Sequence, residues 1–177
     1  TCGLIALFCA IIGERAFISL GFFLCTVAVG TDLLDGYVAR KTGTFNEIGR
    51  EIDSLNDSLT FGIAPATLTF QSFRTGTFYD FILAVGCICF ALGALLRLAR
   101  FNISTDKPGY TGVPTPVSGL LAIVYFYINY FFAYAMGGPG EEGLTYPFPF
   151  ISVILVPFLM IIIGWFNITT YLNYKEK

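Results

Sequence analysis

Residues 117–136 and 148–166 form two unbroken runs without a charged side chain, each close to the roughly 20 residues that a helix needs to cross a bilayer. Such runs narrow the fold sharply. In lipid every backbone N–H and C=O must be bonded within the protein, which leaves only helices or closed barrels. The runs are continuous and do not alternate, which argues against a barrel. A third run, 78–96, is broken only by Asp80, and 16–31 and 58–73 are also uncharged. Residues 2–13 are apolar but short. Charged residues make up 12% of the 177-residue chain and the mean hydropathy is +0.73, against about 25% charged residues in an ordinary soluble domain. A soluble globule, a disordered tail and a nucleic-acid module are thereby excluded.

The pattern predicts an all-α, polytopic membrane protein. It has six transmembrane helices, at roughly 1–13, 15–41, 48–73, 77–101, 115–137 and 147–172, in a single domain over 1–177. Thr1 opens directly into an apolar run, so the first helix reads as truncated at its N-terminal end and not as a signal peptide. Pro65 and Pro157 fall inside predicted helices and are expected to kink them. The five cysteines, at 2, 9, 25, 87 and 89, lie in apolar runs and read as small buried hydrophobes. There is no histidine, so no imidazole can serve as base or ligand.

Loop charge sets the orientation. Arg40, Lys41 and Arg50 lie between helices two and three; Arg97, Arg100 and Lys107 between four and five; Lys175 and Lys177 in the tail. The opposite face has Arg15 and Arg74. The 2–3 connection, the 4–5 connection and both termini are expected in the cytoplasm, at the cell membrane, and the 137–147 loop with Glu141 and Glu142 outside.

The second and third helices carry four carboxylates. Asp32 and Asp35 are three apart, and Asp53 and Asp57 four apart, so each pair shares a helix face. The connection between the helices is short, so the pairs meet at one depth, near the cytoplasmic boundary. Four such groups without counter-charge repel and are costly to desolvate. Hard divalent cations resolve the conflict, and all-oxygen ligation suits Mg²⁺, Mn²⁺ or Ca²⁺ better than zinc. Two ions sharing four carboxylates would sit about 3.5–4 Å apart, a spacing that clamps a phosphoryl group. Gly36, Ala39 and Gly49 leave room for a flat or phosphorylated ligand at the backbone, although small residues also serve helix packing. Arg40 places a fixed cation near phosphate oxygens.

The string Asp32-x2-Asp35-Gly36-x2-Ala39-Arg40-x8-Gly49-x3-Asp53-x3-Asp57 resembles the complete signature of the CDP-alcohol phosphotransferases. The resemblance implies transfer of a phosphoalcohol from a CDP-linked donor to an acceptor hydroxyl, with release of CMP. It implies that Asp32, Asp35 and Asp53 bind two divalent metals, and that Asp57 contacts a metal and takes the acceptor's proton. Gly36, Ala39 and Arg40, with Gly49, are the implied CDP-binding face. A homodimer is implied as well. Within the family, the stretch from Asp57 to Ala66, the segment Arg97-Leu98-Ala99-Arg100-Phe101-Asn102 and the segment Tyr110 to Pro116 are similar to those of phosphatidylserine synthases, with Val113 a mild departure. That similarity implies CDP-diacylglycerol as donor, L-serine as acceptor and membrane lipid around both.

Arg97 and Arg100, three apart at the cytoplasmic end of the fourth helix, suit a donor phosphate or a serine carboxylate, and Asn102 adds an amide. They would equally suit lipid phosphates as interfacial anchors. Two rival readings stay open at this stage. One is a sibling enzyme using glycerol 3-phosphate or inositol phosphate, which would favour a more cationic pocket. The other is an ion or proton transporter, which would place its carboxylates near the middle of the bilayer.

Overall fold

The computed structural model of the chain describes residues 2–42, 47–103, 110–111, 114–137, 148–169 and 173–174; the side chains at 33, 35–42, 47–48, 50, 101–103, 110–111, 136–137 and 173–174 lie outside that description. Helices account for nearly all of it. They are α1 (Cys2–Ile12), α2 (Arg15–Thr42), α3 (Glu47–Asp57), a π-helical turn (Ser58–Ile63), α4 (Ala64–Phe73), α5 (Tyr79–Ile103), α6 (Thr115–Gly137) and α7 (Phe150–Ile168). Two short strands, β1 (Tyr110–Thr111) and β2 (Asn173–Tyr174), pair antiparallel with Tyr110 opposite Tyr174. They tie the segment after α5 to the segment after α7.

Four helices are long and apolar enough to cross a membrane, with windows Arg15–Asp32, Tyr79–Arg100, Thr115–Ala135 and Phe150–Ile168. Helix α1, at 11 residues, is too short to count by that measure, and the rod expected over 48–73 is divided by the π turn. Pro65, just after that turn, supplies the reason. Proline has no N–H to give and its ring crowds the carbonyl four residues back. The backbone widens instead: the Ala64 N–H reaches the carbonyl of Leu59, five residues away, the spacing of a π turn. The final helix stops at Ile168, short of the expected 172, because Thr169 turns extended (φ −67°, ψ 134°); residues 170–172 lie outside the described set.

Pro157 sits inside α7 and frees the carbonyl of Val153 from its helical partner. The Tyr79 hydroxyl on α5 donates to that carbonyl, which is how neighbouring helices make proline tolerable in a bilayer. Asp80, the one charge in the 78–96 run, caps the turn before α5. It accepts from the Gly76 N–H at 2.8 Å and from the Thr75 N–H at 2.6 Å. Gly13 ends α1 in the left-handed region (φ +74°) with its N–H on the Cys9 carbonyl, a common glycine stop. All five cysteines are free, and Cys9, Cys25 and Cys87 are buried.

Helices α5 and α7 make the most extensive pairing, and glycine permits it. Gly86 lies against Pro157 and Gly93 against Gly164, so the two helices run parallel with a constant offset. Lipid tails offer no hydrophobic drive between helices, so small residues that let backbones approach set the association. Aromatic stacking fills the centre, with Phe22 on Phe126 at 3.9 Å and Phe73 on Phe148 at 4.6 Å.

A Cβ on Gly93 would meet the Gly164 carbonyl oxygen and come within 2.9 Å of its Cα. A Cβ on Gly30 would meet nothing within 4 Å. Gly93→Ala is therefore expected to destabilise the protein by about 1–3 kcal/mol, and Gly30→Ala to leave it equal or slightly more stable. Thermal unfolding in detergent checks both; an unshifted Gly93→Ala protein contradicts the packing.

Candidate active site

Asp32 on α2 and Asp53 and Asp57 on α3 converge. Each offers one carboxylate oxygen, and these oxygens lie within 4.8 Å of one another. Asp53 is exposed, while Asp32 and Asp57 are half-buried. The i, i+4 spacing puts both α3 carboxylates on the face that meets α2, as the sequence predicts. Asp35 follows one turn later on the α2 backbone; its side chain, and those of Gly36, Ala39 and Arg40, lie outside the described set. Gly49 is exposed on α3, one turn before Asp53.

The π turn forms the floor beneath Asp57. Three helices close on it where glycine or alanine removes the obstruction. A Cβ on Gly3 of α1 would meet the Thr60 hydroxyl and come within 2.9 Å of the Thr60 Cα. One on Gly119 of α6 would sit 3.1 Å from the Phe61 carbonyl oxygen, and one on Gly62 3.3 Å from the Ala94 Cβ of α5. Thr60, Phe61 and Gly62 are buried by these contacts. The Ser58 hydroxyl donates to the Ser54 carbonyl at 2.8 Å across the junction with α3. The end of α3 is thus held from three sides.

Crowding shows in the electrostatics. Asp57 is partly withdrawn from water, the charges of Asp32 and Asp53 act against its own, and the Arg97 charge acts in its favour. Arg97 is half-buried at the far end of α5, and its Nη1 donates to the Thr115 hydroxyl at the start of α6. The second arginine goes elsewhere. Arg100 is exposed and its Nη1 donates to the Ile168 carbonyl at 2.8 Å, meeting the negative end of α7. The Asn102 side chain lies outside the described set.

The sequence brings Thr115 forward only as part of the Tyr110 to Pro116 segment, with no role of its own, and does not show the π turn. A threonine before a proline at a helix start hints at a polar anchor, but nothing in the string says that an arginine 18 positions earlier will use it. Pro65 signals a disturbance without specifying widening over kinking.

Chemically, three convergent carboxylates with only oxygen donors can hold a hard divalent cation.

Comparison with known proteins agrees with the geometry. The profile of the CDP-alcohol phosphatidyltransferase family matches residues 1–172. A CDP-diacylglycerol–serine O-phosphatidyltransferase of Methanocaldococcus jannaschii is 35% identical over 164 residues, covering 87% of this chain and 79% of the relative. The protein of the same name from Bacillus subtilis is 32% identical over 151 residues, covering 82% and 78%. An archaetidylserine synthase of Methanothermobacter thermautotrophicus is 38% identical over 113 residues, covering 62% and 47%. With its carboxylate string intact, its spanning helices in place and nearly its whole length matched, the chain is an integral membrane transferase belonging to the CDP-alcohol phosphatidyltransferase family.

Proposed function

We propose that the protein moves the phosphatidyl group of CDP-diacylglycerol to the hydroxyl of L-serine, giving phosphatidylserine and CMP. The observation that carries this reading is the meeting of Asp32, Asp53 and Asp57 beside Arg97 at one end of the helix bundle. The first three suit a divalent cation and a base for a hydroxyl; the fourth suits an acceptor with a carboxylate. The names of the M. jannaschii and B. subtilis relatives support the same acceptor.

In this reading the single domain spans the membrane six times, with α1 and the α3–α4 rod crossing as well, and the carboxylate end faces the cytoplasm. The excess of Lys and Arg near that end supports the orientation, and the β1–β2 bridge keeps the ends of α5 and α7 on one side. Asp32, Asp35, Asp53 and Asp57 would hold two divalent cations, Mg²⁺ or Mn²⁺, with Ca²⁺ as a possible occupant. Gly36, Ala39, Arg40 and Gly49 would receive the CDP group. Two chains would form a homodimer, which mass measurement in detergent tests.

The acyl chains of the donor lie in the bilayer and its pyrophosphate reaches the carboxylate end. Bound cations there supply positive charge against the pyrophosphate and the departing CMP. Arg97 orients the serine carboxylate through its planar fork. Asp57 accepts the serine hydroxyl proton on a carboxylate oxygen as that hydroxyl attacks the lipid-side phosphorus. The serine O–P bond forms, the P–O bond to CMP breaks, and the proton stays on Asp57 until solvent takes it. The chain has no His and its cysteines lie in apolar runs, so direct displacement is the simplest course.

Asp57→Asn is expected to lower CMP release by at least about a hundredfold while CDP-lipid binding stays measurable. Turnover like that of the parent protein would remove Asp57 as the base. In a panel of alcohols, serine should drive CMP release; activity with glycerol 3-phosphate or inositol phosphate in its place would reassign the acceptor.

EDTA should abolish turnover and Mg²⁺ or Mn²⁺ restore it; CMP release that survives EDTA contradicts a divalent cation at these carboxylates.

A further inference from the structure

Around the carboxylates the contacts close into a ring. Asp57 leads into the π turn; Phe61 of that turn lies against Gly119 of α6; one turn earlier on α6, Thr115 accepts from Nη1 of Arg97; and the Arg97 charge acts back on Asp57. Thr115 is buried at 1% exposure. Its carbonyl accepts from the buried Ser118 hydroxyl at 2.9 Å, and the first turn of α6 is fixed by the N–H groups of Val117 and Ser118 on the Pro114 carbonyl. The hydroxyl that receives Arg97 is therefore mounted on rigid backbone, and that backbone is keyed to the same turn that holds Asp57.

The carboxylates draw Arg97 to this end of the bundle, but the helix start it bonds does not, since that end carries partial positive charge and repels a guanidinium. Arg100, by contrast, goes to a helix end of the favourable sign. An arginine tied to a buried hydroxyl, with its charge acting on Asp57, makes sense as one arm of a two-point grip. We infer that Thr115 is a positioning residue for the acceptor: it fixes the Arg97 guanidinium at a set distance from Asp57, so that an amino-acid acceptor is taken by its carboxylate at Arg97 and its hydroxyl at Asp57. This rests on the serine reading above. It adds that discrimination for a carboxylate-bearing acceptor depends on a residue that touches neither substrate.

The test compares L-serine with serinol, the same amino alcohol without the carboxylate, by CMP release from CDP-diacylglycerol. The parent protein is measured beside Thr115→Val, which keeps the shape and removes the hydroxyl, and Thr115→Ser, which keeps the hydroxyl. The ratio of kcat/KM for serine to that for serinol is independent of the fraction of folded enzyme, so a partly unfolded variant still reports. Thr115→Val is expected to lower that ratio at least about tenfold through a higher KM for serine, with the KM for CDP-diacylglycerol within about twofold; Thr115→Ser should stay within about threefold of the parent ratio. An unchanged ratio in Thr115→Val, or a rise in donor KM instead of serine KM, overturns the role of Thr115 while leaving the serine reading intact. A parent protein that releases no CMP with serine overturns the serine reading, and this inference with it.

Discussion

Like-charge crowding is the constraint on which the rest of the structure depends. Three carboxylate oxygens from two helices within 4.8 Å of one another repel, and two of the three groups are partly withdrawn from water. A fold that brings such groups together must hold them in place mechanically. Helices in a bilayer cannot draw that support from hydrophobic burial against one another, because lipid competes equally for apolar surface. They draw it from close backbone contact: at Gly3, Gly86, Gly93 and Gly164 the neighbouring helix leaves no room for a Cβ.

The π turn is where those two requirements meet. It separates a segment whose exposed and half-buried acids face α2 from a segment, Ala64 to Phe73, whose surface is largely buried among α1, α2, α5 and α6. A regular α-helix would tie the two faces to one register. The extra residue in the wide turn rotates one half relative to the other, and Pro65 stabilises the change by removing the N–H that a regular helix would need. The acids and the packing surface can then each be placed on their own terms.

Much of this was legible before any coordinates. Uncharged runs of spanning length, broken by short polar connections, place the helices to within a few residues because the bilayer admits few other solutions. The carboxylates were legible for the same reason: acids beside apolar runs are costly enough that their spacing carries meaning, and i, i+4 spacing at Asp53 and Asp57 assigns a face. The Arg97 and Arg100 pair shows the limit. Spacing of three makes them look equivalent, yet one reaches Thr115 and the Asp57 field while the other reaches the Ile168 carbonyl. Their divergence depends on which helix lies on each side of α5, a tertiary fact with no local trace. Thr115 was illegible likewise, since a threonine at a helix start has a sufficient local explanation.

The placement of charge also separates surface chemistry from transport. A relay through the membrane needs ionisable groups at intervals along its path. Residues 16–31, 58–79 and 81–105 contain no Asp or Glu. Asp32 closes its apolar window and Asp57 immediately precedes an uncharged stretch, while Asp80 is consumed in capping a turn before α5. The acids that converge are gathered at one end, beside the start of α6 and the end of α5. That geometry suits a reaction between a lipid whose headgroup stops at the interface and a water-soluble partner that need never cross it.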